Sequence, residues 1–457
     1  MPDYDRIEHP SLSMQALARF VLETPANDVP EEAQCCARLL LLDTLGVAIA
    51  ATPMQAGVLA RDITARIYAA GTDQDARQMI FDGRRVSLPG AAFAAATQID
   101  NLDAHDGYNP TKGHIGVVAV PTLIAVAETL PDLSGSDALA ALAVGYDVAG
   151  RAGLALHASV SDYHTSGAWN ALGVVAIAAR LRRATPEQLR QALGIAEYHG
   201  PRSQMMREIA NPTMLHDGSG QGALVGLSAM IMAEMGFTGA PAVTVESDQA
   251  TQHWLDLGQH WQVTQQYIKP YPICRWAHAP IDGAQQLRRD HAITSDQIES
   301  VEICSFANAA ALFPDVPKTT SQAQYSITFA VATMLVHGAV ALEHIEGDGL
   351  RDPVVADLMS RTSLTTHARH EARFPAGRWA DVTLTLKDGR ALNSGDINAR
   401  GGVEQPFSEA EVIEKFMGLA SPILGTSRAT AIKDAALGLP SVNSKLSTLT
   451  QHLYDPP

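Results

Sequence analysis

Apolar residues recur at helical spacing through most of residues 12–265, then change to two-residue alternation beyond Tyr267. Glu31 to Ala51 reads as a long apolar-rich helix carrying the stretch Asp43-Thr-Leu-Gly46. Ser136-Asp137 reads as a helix start, and the run that follows to Arg151 is apolar almost all round, which predicts a central buried helix. Thr185-Pro186 places proline at a first helical position. Gly222 to Met235 is a further helix of small residues. Lys269-Pro-Tyr-Pro272 breaks the helical pattern. A helix over about Ala279–Asp290 follows, then Ile298–Phe306 alternates as a strand, and Tyr325–Gly338 returns to helix. Trp379–Leu386 alternates again, and Lys387-Asp-Gly-Arg390 turns it back toward Ala391-Leu392 as a hairpin. Ser408-Glu-Ala-Glu411 opens a last helix with Val412–Leu419 as its body. The pattern therefore predicts a mainly α chain, with a smaller α+β domain over residues 268–400.

One stretch does not fit the helical background. Asp103-Ala-His-Asp-Gly-Tyr-Asn-Pro-Thr-Lys-Gly-His114 carries two carboxylates, two imidazoles, a phenol and an ammonium. Gly107, Pro110 and Gly113 prevent one regular helix, and the apolar run Ile115–Leu130 follows at once. A bent polar segment beside a buried helix is costly unless it does chemistry, and ionisable groups near an apolar wall have their pKa values moved.

Bulk composition narrows the classes of function. The chain has 457 residues, 46% of them hydrophobic and 18% charged, which suits a well-buried globular protein of two domains. The net charge of −16, from 33 basic and 49 acidic residues, argues against nucleic acid as a partner. A locally basic pocket for a small anion remains compatible with it. The four cysteines, Cys35, Cys36, Cys274 and Cys304, form no zinc-like spacing, so a reduced cytoplasmic chain is expected. The polar, acidic N-terminus does not read as a targeting peptide, and the apolar runs are short or interrupted, so no membrane association is expected. Gly218-Ser-Gly-Gln-Gly222 follows no strand and lacks a P-loop lysine, so no nucleotide cofactor is expected. Asp103, His105, Asp106 and His114 lack a helical metal-ligand spacing, and no metal is expected there.

Other polar islands fall where loops meet helices. His164 precedes the helix at Ala168–Arg180, and Met214-Leu-His216-Asp-Gly218 opens the next small-residue helix. Lys269, Arg275 and His278 cluster where the pattern changes. Tyr146 and Arg151 lie on the central helix, and Gln324-Tyr325 stands at a helix start. Arg and Lys suit carboxylate recognition, and desolvated imidazole, phenol or amine groups can serve as acids and bases. The set fits removal of a proton beside a carboxylate, with cations stabilising the enediolate that develops.

The sequence resembles the MmgE/PrpD family, which includes 2-methylcitrate dehydratase, cis-aconitate decarboxylase and iminodisuccinate epimerase. The resemblance is carried by Asp43-Thr-Leu-Gly46, Asp103–His114 with Pro121, Gly145-Tyr-Asp-Val-Ala-Gly-Arg151, His164, Met214–Gly218, Phe237-Thr-Gly-Ala240, Lys269–Pro272 with His278, Gln324-Tyr325 and Leu386–Arg390. It implies a large all-helical domain built from residues 1–267 and 401–457, an α+β lid over 268–400, a pocket between them, a homodimer and no cofactor. His114 falls on the family's active-site histidine, Asp103 on its opening acid, and His164, Lys269 and Tyr325 on further pocket positions. Dehydratase and decarboxylase members usually carry Asp-Asp-Thr where this chain has His105-Asp106-Gly107, and a lysine where it has Thr213-Met214. With Lys112 beside His114, the pattern is closer to the epimerase-like branch.

The expectation is a cofactor-independent carbon-acid enzyme acting on a small di- or tricarboxylate, by epimerisation of the iminodisuccinate type. His114, Lys269, Tyr146, His105 and His164 are its candidate catalytic groups. Asp103, Lys112, Arg151, His216, Arg275, His278 and Tyr325 are its candidate binding groups. Hydro-lyase or decarboxylase chemistry is the alternative within the enzyme class, and a non-catalytic carboxylate-binding protein the alternative outside it.

Overall fold

A computed structural model describes residues 7–457; the first six residues of the polar N-terminal stretch lie outside the described residues. The protein is mainly α with a smaller α+β part. The chain folds into two units. One contains the chain up to Gln204, Asp217–Gln266 and Ser408–Pro457; the other contains Met205–His216 and Tyr267–Phe407.

The helical unit is organised around Gly135–Ser159, a 25-residue helix buried from Ala138 through Gly153. Its cap is Ser134 rather than Ser136. The Ser134 hydroxyl accepts from the Asp137 N–H at 3.0 Å, so Asp137 occupies the first turn and the helix begins earlier than the sequence pattern suggests. Gly167–Leu181, Ser219–Glu234, Leu88–Asp100 and Gly116–Ala127 complete the inner layer, rich in Ala, Gly and Val. Glu31–Ala50 packs on the C-terminal helix Glu409–Leu437, which breaks its helical dihedrals at Gly425. Thr185 and Ser408 each close a capping box, with Gln188 and Glu411. Glu31–Ala50 and Gly135–Ser159 are long and apolar enough to cross a bilayer, but 72% and 94% of their apolar windows are buried inside the protein. That is how core helices behave.

The α+β unit holds a mixed sheet. Trp379–Leu386 lies between Ile298–Ser305 and the hairpin partner Ala391–Asn393, antiparallel to both. Thr362–Thr366 adds a parallel strand on the outer side of Ile298–Ser305. Ala380, Val382, Leu384 and Leu386 are buried, as the alternation predicts, and His278–Asp290 packs against their strand. The helix expected over Tyr325–Gly338 runs Ile327–His337 with Ser326 as its cap. Tyr325 therefore terminates the short helix Thr320–Gln324 instead of opening the next one.

Candidate functional site

The Asp103–His114 segment is a folded-back loop. Asp103 and Lys112 both take left-handed backbone conformations, with φ of 54° and 56°. Between them Gly107-Tyr108 runs extended, and the Tyr108 N–H closes on the Gly113 carbonyl at 2.8 Å. The loop is held from several sides by side chains. The Tyr108 hydroxyl donates to Gln262 at 2.5 Å, and the Gln262 N–H donates to Asp147 at 2.9 Å. The Tyr163 hydroxyl donates to the Lys112 carbonyl, and the Lys112 ammonium rests 4.5 Å from the Tyr163 ring centre.

His114 is the best-defined group in the loop. Its Nδ1 lies 2.6 Å from the Asp106 carbonyl oxygen, which can only accept, so Nδ1 carries the hydrogen and the basic lone pair is on Nε2. Nε2 stands 3.7 Å from an Asp217 carboxylate oxygen, within charge coupling but beyond a hydrogen bond. The other Asp217 oxygen accepts from the Ser166 hydroxyl at 2.6 Å, and Ser166 Oγ accepts the His114 N–H at 3.0 Å. Asn170 donates to the His114 carbonyl at 3.2 Å. The ring of His114 is thus fixed by the Asp106 carbonyl, and its backbone by Ser166 and Asn170 at the start of the Gly167–Leu181 helix.

Around His114 the structure gathers further acid and imidazole groups. The His105 ring packs edge-on at 4.4 Å between centroids. Asp100 stands 3.8 Å from His105 Nε2, and its other oxygen accepts the Ser219 N–H at 3.1 Å. Ligand-type atoms of Asp103, His105 and His114 lie within 4.8 Å of one another. All these residues are buried. Burial, with the Asp217 carboxylate nearby and Asp103 beyond, raises the Asp100 pKa well above the ordinary carboxylate range, against the Ser219 N–H. Asp100 therefore keeps its proton to higher pH than an exposed carboxylate does. A second set of ligand-type atoms, Cys304, His370 and Asp381, lies in the α+β unit. There Arg369 and His370 already bind the Asp381 carboxylate.

Tyr146 and Arg151 both lie on the central helix Gly135–Ser159. The Tyr146 side chain is fully buried against Asp106, and a Cβ added at Gly116 would lie 2.3 Å from both Tyr146 Oη and Asp106 Oδ1. Burial, then the Asp106 charge, drives the Tyr146 pKa well above that of a free phenol. The Arg151 guanidinium donates to Asp147 at 2.7 Å, to Asp256, and to the His253 and His260 carbonyls at 2.8 and 2.7 Å. Arg151 is thus a clamp on the segment carrying Gln262. His164 lies two residues before Ser166, and its N–H donates to His157 at 3.3 Å. Its pKa is lowered by burial and then by Arg202.

The α+β unit assembles the remaining candidates separately. Lys269 is fully buried on the bent segment that continues to His278. His278 Nε2 donates to the Ile273 carbonyl at 2.9 Å, and its ring packs 5.3 Å from Tyr271. Arg275 donates to the Ala399 and Arg400 carbonyls at 2.8 and 2.6 Å and lies over the Tyr267 ring. Burial lowers its pKa to about 10. The Cys274 N–H donates to the Gln324 carbonyl at 2.8 Å, which ties this segment to Tyr325. The Tyr325 ring stands 5.6 Å from His216. Lys269, Tyr325 and His216 thus belong to one connected region, in which His278 and Arg275 act as staples.

Sequence reasoning misses Asp100, Ser166, Asp217 and Lys415. Asp217 lies inside the Met214–Gly218 motif, where the pattern alone assigns it no role. Lys415 pairs with Asp43 at 2.5 Å and donates to the Ala104 carbonyl at 2.7 Å, a link between distant parts of the chain that no local spacing signals.

Both halves of the chain match family models: the MmgE/PrpD N-terminal domain over residues 15–264 and the MmgE/PrpD C-terminal domain over residues 271–440. The chain belongs to the MmgE/PrpD family. Among its relatives, the cis-aconitate decarboxylase-like protein oryM of Aspergillus oryzae is 22% identical over 476 residues, covering 93% of each chain. Human cis-aconitate decarboxylase is 24% identical over 411 residues, with 84% of this chain and 83% of the relative covered. Cis-aconitate decarboxylase of Aspergillus terreus is 22% identical over 393 residues, with 77% and 78% covered.

Proposed function

We propose that the protein is a carbon-acid enzyme that removes a proton from the carbon next to a carboxylate of a small di- or tricarboxylate and returns it with inverted configuration, as an epimerase of the iminodisuccinate type. The observation that carries this reading is the His114 geometry: Nδ1 is committed to the Asp106 carbonyl, which makes Nε2 the base, inside a buried cluster of acids. In this reading His114 Nε2 takes the proton and the C–H electron pair moves into the carboxylate as an enediolate. Lys269 is the candidate cation for that developing charge, and one of Tyr146, His105 or Lys269 itself the candidate proton donor. No bound metal or organic cofactor is required by these steps. A cytoplasmic homodimer is part of the same proposal, from the family resemblance.

Decarboxylation is the second reading, favoured by the names of the relatives. The Thr213 environment argues against it. Where dehydratase and decarboxylase members usually place a lysine, Thr213 is neutral, and its hydroxyl and N–H are taken up by Glu208 at 2.8 and 2.6 Å. Enantiopure iminodisuccinate and cis-aconitate, each incubated with the enzyme, separate the readings. Loss of circular dichroism from iminodisuccinate without carbon dioxide release or new alkene absorbance is the expected result. Carbon dioxide from cis-aconitate, with iminodisuccinate untouched, would overturn it in favour of the decarboxylase.

A further inference from the structure

Lys415 lies on the C-terminal helix, far along the chain from the Asp103–His114 loop, yet its ammonium reaches the loop's backbone. It donates to the Ala104 carbonyl at 2.7 Å and pairs with Asp43 at 2.5 Å. The Asp43 side chain is fully buried and that of Lys415 is 11% exposed. Gly46 explains how the two helices come close enough: a Cβ there would meet the Phe416 backbone at 3.4 Å and its ring at 3.1 Å. The Asp43-Thr-Leu-Gly46 stretch therefore has a structural reading, in which the aspartate receives the lysine and the glycine admits the helix that carries it.

Two residues beyond Ala104, the Asp106 side chain is enclosed by Tyr146 and Gly116, and the Asp106 carbonyl is the acceptor for His114 Nδ1–H. The loop is thus pinned at Ala104 by Lys415 and at Asp106 by the Gly116–Tyr146 contact, and His114 takes its ring orientation from the second pin. A buried ion pair is weak support for stability, because desolvating both charges offsets their attraction and an apolar pair of similar volume does as well. Its worth here is directional: an ammonium can hold a carbonyl in place, and an alkyl chain cannot.

We propose that Lys415, together with Asp43, is a positioning residue for His114, holding the Ala104–Asp106 backbone so that the Asp106 carbonyl keeps Nδ1 protonated and Nε2 as the basic nitrogen. The proposal rests on the reading of His114 as the base, but its test reads the imidazole directly. In the full-length protein labelled with 15N-histidine, His114, assigned by its loss in His114→Gln, should show a protonated Nδ1 and an unprotonated Nε2. In Lys415→Met those two shifts should move toward averaged values. With a turned-over substrate, kcat should fall about 100-fold, the scale of a misplacement near 1 Å, with KM little changed. Lys415→Arg should restore the wild-type shifts and most of kcat.

If Lys415→Met fails to fold, the double variant Asp43→Leu/Lys415→Met removes both charges and keeps the apolar volume. Averaged His114 shifts in that folded double variant support the proposal. Wild-type shifts and kcat in either variant overturn it. Should His114→Gln retain full turnover, the reading of His114 as base fails, while the shifts in Lys415→Met still decide whether Lys415 positions the ring.

Discussion

Two histidines in this protein each give a ring N–H to a backbone carbonyl inside a bent, buried segment, and they do different things. In the helical unit His114 donates to Asp106; in the α+β unit His278 donates to Ile273. The difference lies in what else surrounds the ring. His114 has Asp217 3.7 Å from its other nitrogen and His105 at 4.4 Å, with Asp103 and Asp100 in the same cluster. His278 packs on the Tyr271 ring, whose hydroxyl donates to Asp282 at 2.8 Å. The carbonyl contact fixes a tautomer in both cases, and at His114 the second ring nitrogen also faces a carboxylate, that of Asp217.

Substituting each histidine is the strongest way to break that comparison. His114→Gln should lower kcat about a thousandfold with the melting temperature unchanged, as expected for loss of a general base. His278→Leu should instead cost about 1–3 kcal/mol of stability, by leaving the Ile273 carbonyl without its donor, and keep kcat within about tenfold. Steady-state kinetics and thermal unfolding on both variants check this, and the reverse pattern would exchange their roles.

Gly116→Ala comes next. The added methyl would lie 2.3 Å from Asp106 Oδ1 and Tyr146 Oη, so Asp106 must shift and carry the His114 acceptor with it. A stability loss of about 1–3 kcal/mol from overpacking is expected, together with a fall in kcat. Urea unfolding and kcat measured together test it; a change in stability alone would detach Asp106 from the catalytic geometry.

The pH dependence of stability sharpens the picture further. Burial is the main cause that raises the Asp106 pKa to about 7, and Tyr146 opposes it. An unfolded aspartate releases its proton near pH 4, so between about 4 and 7 the folded protein holds a proton that the unfolded chain has lost. Stability therefore falls as pH rises through that window. Asp106→Asn cannot ionise and should flatten that decline, a contribution on the order of 2–4 kcal/mol. Unfolding curves at pH 5 and pH 8 measure it, and equal slopes in both proteins would contradict the assignment.

The smallest effect is expected at Arg151. Lysine at that position keeps the charge but not the planar fork that reaches Asp147, Asp256 and two carbonyls. Arg151→Lys should cost about 1 kcal/mol of stability. KM should change by less than a factor of about two, whereas a substrate-binding arginine would raise it far more.

The two units also differ in how much of each is legible in the sequence. Capping boxes at Thr185 and Ser408 and the Trp379–Asn393 hairpin obey local rules, and the structure has them where the pattern puts them. Thr362–Thr366 escapes a sequence reading because its residues are exposed or half-buried on an outer strand, without the alternation that marks a strand with one buried face. Met205–His216 reads with the helical part, yet groups with the α+β unit, since its six-residue helix carries no periodicity long enough to place it. In the site, the loop stands out because polar groups in a Gly- and Pro-broken stretch contradict their apolar surroundings. Asp100 and Lys415 do not, because each sits within a regular helix and acquires its partner only through tertiary packing.

The most direct test of the central claim is solvent exchange at carbon. Wild-type enzyme incubated with iminodisuccinate in D2O should place deuterium on the carbon next to a carboxylate, seen by NMR and mass spectrometry as the stereoisomers interconvert. His114→Gln should not. Equal deuterium incorporation by both proteins, or stereoisomer conversion with no deuterium entering, would contradict proton abstraction by His114.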